Sequence, residues 1–190
     1  LAVKSTTDKC LANYAEVAEK CINSVVQIEA TETVQSYYYG PQTSVGRGSG
    51  VIYTTNGYII TNYHVVGKNT EKITVTLYDG TKYEGAYICG DESADVSVIK
   101  INKNDCTAAK IGDSDALKLG EQVLAIGNPL GYGITLSDGI ISALSRTVTV
   151  ENTTMTLMQT TAAINSGNSG GGLFNMKGEL IGITNAKVGG

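Results

Sequence analysis

From Val51 onward the chain is built of short apolar runs rich in Val, Ile and Tyr, each closed by turn-forming residues. The runs are Val51 to Tyr53, Tyr58 to Asn62, Ile73 to Leu77, Tyr83 to Cys89 and Val96 to Ile101, with Asn56-Gly57 and Asp79-Gly80 as hairpin dipeptides between them. The stretch Cys106 to Gly120 is poorer in strand signal. The rhythm then resumes at Gln122 to Ile126, Ile134 to Leu144, Met155 to Thr160, Gly172 to Asn175 and Glu179 to Asn185. Two successive β units sharing one linker are the economical reading.

Ahead of these strands, Tyr14, Val17, Ala18 and Cys21 fall at helical spacing and predict a short helix feeding a first strand at Val25, Val26 and Ile28. The segment from Glu32 to Gly50 contains Tyr37-Tyr38-Tyr39-Gly40-Pro41 and Gly46-Arg47-Gly48-Ser49-Gly50. It reads as a loop ending in a glycine-rich turn, and as a candidate surface for a partner. No internal repeat is visible, which excludes a solenoid. Asn152-Thr153-Thr154 fits a glycosylation acceptor only formally.

Composition narrows the function classes. Among 190 residues, 14 basic and 18 acidic side chains leave a net charge of −4, too mild to advertise a polyanion or a membrane surface, so nucleic-acid binding is not expected. Gly occurs 23 times and Pro twice, and charged residues make up 17%, which favours tight turns over long helices. No window approaches the length of a spanning helix. With Leu1 in place of an initiator Met, any signal or anchor is expected outside these residues. Cys10, Cys21, Cys89 and Cys106 lack Cys-x-x-Cys spacing and there is one histidine, so neither a metal nor a cofactor is expected. Disulfides and buried free thiols both remain open for the cysteines.

The sharpest local feature is Gly167-Asn168-Ser169-Gly170-Gly171-Gly172. Glycines there let the backbone turn sharply and aim consecutive N–H groups at one point, which suits an oxyanion forming beside a serine oxygen. Taken alone, the same residues describe a hairpin whose Ser caps a turn. A serine nucleophile needs an adjacent base, and His64, in Thr61-Asn62-Tyr63-His64-Val65-Val66, is the one imidazole available. Of eight aspartates, Asp95 immediately precedes the apolar strand Val96-Ser97-Val98-Ile99 and is the preferred third member. Asp79 and Asp91 read as turn residues, and Asp113 and Asp115 as capping or solvated ones.

Gly48-Ser49-Gly50-Val51-Ile52, Thr61 to Val66, Asp95 to Lys100, Ile111 to Ser114, Ala125 to Gly131, Gly139 to Ser142 and Ala162 to Gly171 resemble, in order, blocks of the HtrA serine proteases. The resemblance spans most of residues 15 to 187. It implies an all-β, trypsin-like double six-stranded β-barrel with a short N-terminal helix. The segments would be 1–23 (helix), 24–105 (first barrel) and 106–190 (second barrel), the last strand and any PDZ domain being absent.

The resemblance assigns Ser169 as nucleophile, His64 as general base and then acid, and Asp95 as the group orienting the imidazole. It places the oxyanion hole at the N–H groups of Gly167 and Ser169, on a loop that switches between competent and incompetent arrangements. Thr161 and Ser166 depart from the family's common Asp and Pro without touching the triad. Ile164 and Ile183 are apolar candidates for a pocket wall preferring small or medium aliphatic side chains. The resemblance further implies a bacterial extracytoplasmic endopeptidase acting on unfolded or damaged polypeptides, a homotrimer, and no cofactor, metal or nucleic acid, with membrane anchoring only through segments outside this chain. The competing class is a dormant or non-catalytic module that grips polypeptide without cutting it. A nucleotide site at Gly46 to Gly50 is disfavoured because Val51 begins a strand where a phosphate-binding helix is needed.

Overall fold

The computed structural model describes residues 13–36, 40–128, 133–150, 153–165 and 168–186. The chain opens with α1 (Tyr14–Cys21), where the Asn13 side chain accepts from the Ala15 N–H at 2.9 Å, Glu16 lies in the first turn and Lys20 in the last. One turn of 3-10 helix, Ile22–Ser24, passes it into the first strand.

Six strands then close a barrel in the order β1-β2-β3-β6-β5-β4: β1 (Val25–Ser36), β2 (Gly40–Ile52), β3 (Tyr58–Thr61), β4 (Lys72–Thr76), β5 (Lys82–Asp91) and β6 (Val96–Ile101). Closure pairs β1 with both β2 and β4. Period-two alternation turns Val26, Ile28, Ile52, Ile59, Val75, Ile99 and Ile101 inward, all nearly or fully buried. The predicted hairpin glycines adopt the left-handed conformation, Gly57 at φ +90° and Gly80 at φ +83°.

The segment read as a loop up to Gly50 is in its described part a strand, and this is a correction. β1 and β2 pair without a break from Val25↔Val51 to Ser36↔Gly40. The glycines of the Gly46 to Gly50 run serve close approach rather than turning. A Cβ on Gly48 would lie 2.7 Å from a Val65 methyl, and one on Gly50 2.7 Å from Ile28 Cδ1. Tyr37, Tyr38 and Tyr39 lie outside the described residues, as do Cys10 and Asn152.

The second half is a curled six-stranded sheet in the order β10-β9-β8-β11-β12-β7, formed by β7 (Lys110–Ile111), β8 (Gln122–Gly127), β9 (Thr135–Val150), β10 (Thr153–Thr160), β11 (Gly172–Asn175) and β12 (Glu179–Ile183). β9 runs past the predicted Leu144 to Val150, paired with β10 across a register shift. The short β7 falls in the stretch read as poorer in strand signal and is held by parallel pairing to β12. Leu124, Ile126 and the fully buried Phe174 form one core cluster with Val17, Ala18 and Cys21, so α1 packs on the second sheet although the barrel follows it in sequence. Cys21, Cys89 and Cys106 are free thiols.

Candidate active site

The barrel and the second sheet meet along a polar seam centred on Ser49. Its N–H donates to the Ser169 carbonyl at 2.8 Å, its carbonyl accepts from Thr61 Oγ1 at 2.7 Å, and its Oγ accepts from the Asn128 N–H at 2.8 Å. Ser49, Thr61 and Asn128 are all buried, so each of these bonds satisfies a group withdrawn from water. The seam fixes where the second half's serine turn lies relative to the first half's strand ends.

His64 follows β3 and Asp95 precedes β6, and these strands are neighbours, with Thr61 opposite Ser97. The two residues are therefore brought together by adjacent strand ends of one barrel. Asp95 sits at φ +52°, after a turn in which Asp91 accepts from Ser93 N at 2.8 Å, Ser93 Oγ at 2.6 Å and Ala94 N at 3.2 Å. Those donors, the Ser93 hydroxyl foremost, hold the Asp91 carboxyl below its ordinary range.

The Asp95 carboxylate is buried and divides its two oxygens. Oδ1 accepts from the His64 backbone N–H at 2.9 Å, and Oδ2 lies 2.7 Å from His64 Nδ1 and accepts from Asn185 Nδ2 at 2.8 Å. A carboxylate only accepts, so Nδ1 carries the imidazole hydrogen and Nε2 keeps its lone pair. That nitrogen is 2.8 Å from Ser169 Oγ. The same Oγ lies 3.0 Å from Asn62 Oδ1, while Asn62 Nδ2 donates to the Asp95 carbonyl at 3.0 Å.

Ser169 is held by a turn that only glycine can complete. Gly170 has φ +80°, and a Cβ there would collide with Ser49 O and Thr61 Oγ1 across the seam. Asn168 braces the approach, its Oδ1 accepting from Asn165 N and its Nδ2 donating to Ala163 O, each at 2.9 Å. Gly167, the other residue named for the oxyanion hole, and Ser166 lie outside the described residues.

Ile164 and Ile183 both line a cavity of about 740 Å³ that is also lined by Asn185, whose amide donates to the Asp95 carboxylate; Met158, Ala162 and Leu173 add apolar wall. A second, polar cavity of about 460 Å³ lies beside His64, bounded by Glu32, Tyr63, Lys68 and Glu92. The acids set aside in sequence behave as turn residues: Asp79 accepts from Thr81 N at 2.8 Å and Asp113 from Asp115 N at 3.0 Å. Sequence reasoning assigned no role to Asn62, Thr184 or Asn185. Asn62 lies two positions before His64, but an asparagine there reads equally as a turn residue, and only the fold brings Asn185 to Asp95.

A trypsin-like peptidase domain model matches residues 48–183. The chain belongs to the trypsin-like peptidase family. Its relatives put it on the HtrA branch. It is 50% identical over 141 residues to a probable serine protease do-like from Buchnera aphidicola, covering 73% of this chain and 29% of that protein. It is 48% identical over 148 residues to the periplasmic serine endoprotease DegP of Salmonella typhimurium, covering 76% and 31%. With the serine protease Do-like HtrB of Bacillus subtilis the identity is 42% over 193 residues, covering 93% and 42%. Among solved structures, the HtrA-type protease AlgW with a tripeptide superposes at TM-score 0.79 and 37% identity, covering 90% of this chain and 53% of that one. The trypsin-like, HtrA-type fold expected from sequence is thus the fold found, as a closed barrel and a curled sheet. The chain spans less than half the length of these curated relatives.

Proposed function

We propose that this chain is the peptidase part of an HtrA-type serine endopeptidase that cleaves peptide bonds in unfolded or damaged polypeptides. The observation that carries the reading is the unbroken path from Ser169 Oγ through His64 Nε2, at 2.8 Å, and His64 Nδ1 to Asp95 Oδ2, at 2.7 Å. His64 takes the hydroxyl proton as Oγ attacks the scissile carbonyl, and Asp95 stabilises the imidazolium that results. The imidazolium returns the proton to the leaving amine, leaving an acyl-enzyme on Ser169. Water activated by the same nitrogen then releases the acid and regenerates the hydroxyl. Backbone N–H groups of Gly167 and Ser169 hold the oxyanion in both halves of the cycle.

Ile164 and Ile183 supply the apolar wall of the pocket receiving the residue before the cut bond, with a preference for small or medium aliphatic side chains. The relatives' names support a location outside the cytoplasm, in the cell envelope or beyond it, and the AlgW structures with a tripeptide and a decapeptide support a polypeptide ligand. A homotrimer, with any membrane anchor outside this chain, follows from the family resemblance. The testing experiment is fluorophosphonate labelling of the full-length protein beside Ser169→Ala, with casein cleavage and the residue preceding each cut as readouts. Labelling and cutting that depend on Ser169, after aliphatic residues, support the reading. Casein binding with neither labelling nor cleavage would transfer the chain to the class of polypeptide-gripping modules.

A further inference from the structure

Thr184 follows β12 and is buried. It clamps the serine turn at several points. Its carbonyl accepts from Gly170 N at 2.8 Å, its N–H donates to the Gly171 carbonyl at 2.9 Å, and its hydroxyl reaches the carbonyls of both Asn168 and Gly171. A hydroxyl has one hydrogen to give. Each of these carbonyls accepts one backbone N–H besides, and the hydroxyl's contact to Asn168 is the shorter of the two, so the hydrogen goes to Asn168 O. That carbonyl also accepts from the Gly171 N–H at 2.9 Å.

The direction of the Asn168 carbonyl decides the direction of the next N–H. No peptide bond among the described residues is cis, and in a planar trans peptide the C=O and N–H point opposite ways. With its carbonyl held by Thr184 and Gly171, the Asn168–Ser169 peptide turns the Ser169 N–H away from Thr184. None of the described residues accepts from it.

Resting on the protease reading above, we propose that Thr184 is a positioning residue for the reaction: its hydroxyl latches the Asn168–Ser169 peptide with the Ser169 N–H turned out toward the oxyanion. Thr184 touches no reacting atom and acts through the Asn168 carbonyl. Without the hydroxyl, that carbonyl keeps one donor in place of two, and rotation of the peptide withdraws the oxyanion donor while leaving the path from Ser169 to Asp95 intact.

The test compares the full-length wild type with Thr184→Val, which keeps the shape and removes the hydroxyl, and with Thr184→Ser, which restores it. The valine variant is expected to lose about tenfold in kcat, as partial loss of one oxyanion donor requires, with KM changed less than twofold. Affinity for a peptide boronate, which forms a tetrahedral adduct on the serine, falls in proportion, while affinity for the cleaved product peptide does not. Serine at this position brings kcat and boronate affinity back toward wild type. A valine variant with wild-type kcat and boronate affinity overturns the proposal, as does a serine variant no better than valine. Should the valine variant fail to fold, Thr184→Ala is read by the same criteria. If the wild type has no activity at all, the protease reading fails separately. A crystal structure of the valine variant then decides this proposal alone, an unmoved Asn168 carbonyl refuting it.

Discussion

Asn62 and Ser169 meet across the seam, with Asn62 Oδ1 lying 3.0 Å from Ser169 Oγ. The amide's orientation is fixed at its other end, because the Asp95 carbonyl requires the donor Nδ2 to face it. Replacing Asn62 by Ala removes the buried bond to the Asp95 carbonyl together with the polar contact to Ser169, and is expected to destabilise the protein by about 1 to 3 kcal/mol. Asn62→Asp is expected to be worse, since it sets two acceptors face to face at Asp95 and buries a charge without its donor. Urea unfolding of both variants checks the order; an aspartate variant as stable as wild type contradicts the orientation.

Under the proposed mechanism, removing His64 or Ser169 is expected to leave the fold and abolish the chemistry. Ser169→Ala and His64→Ala are each expected to reduce kcat by about 10⁴-fold or more, and combining them to cost little beyond either alone. Near-wild-type melting temperatures with lost labelling give that outcome. Independent, multiplying losses from the two changes contradict a shared step.

Two glycines with almost the same backbone angle separate conformational strain from collision. At Gly80, with φ +83°, an added methyl group would meet nothing within 4 Å, so Gly80→Ala carries only the left-handed strain, about 1 kcal/mol. Gly170, at φ +80°, adds a clash with Ser49 O and Thr61 Oγ1, so Gly170→Ala is expected to cost about 2 kcal/mol beyond that and to slow labelling as the turn shifts. Denaturation midpoints of the two variants make the comparison, and equal losses would mean that the seam yields.

Burial against the second sheet pushes the Cys21 thiol up to about 11, the nearby Lys20 charge opposing weakly. Between about pH 9 and 11 the unfolded chain releases this proton while the folded chain keeps it, so stability present below pH 9 is lost as pH rises through that window. The loss is at most about 2 to 3 kcal/mol from this group. Stability curves for wild type and Cys21→Ala should diverge there and run parallel below. At neutral pH iodoacetamide is expected to modify the exposed Cys89 and spare Cys21.

What the residues disclosed follows the range of the interactions involved. The helix over Tyr14–Cys21 and the strands Val96–Ile101 and Gly172–Asn175 were legible because apolar period and neighbouring turn residues are local signals. β7 was not, since two residues form a strand only because β12 lies beside them. The Gly46 to Gly50 run misled because glycine marks a turn and a close backbone approach equally well, and only Ile28 and Val65 packed against it distinguish them. Ser169, His64 and Asp95, which the fold brings within hydrogen-bond distance of one another, were singled out by chemical type and family blocks. The supporting amides of Asn62 and Asn185 could not, because asparagine is common in turns and its partners lie 107 and 90 residues away.

The seam through Ser49 joins the half that carries His64 and Asp95 to the half that carries Ser169. The contact between Nε2 and Oγ, at 2.8 Å, is therefore a gauge of how the halves sit, since nitrogen–oxygen hydrogen bonds span about 2.7 to 3.2 Å. A displacement of about half an ångström between the halves would carry this pair out of that range. Under the proposed mechanism, reaction rate is therefore expected to report how well the two halves fit together.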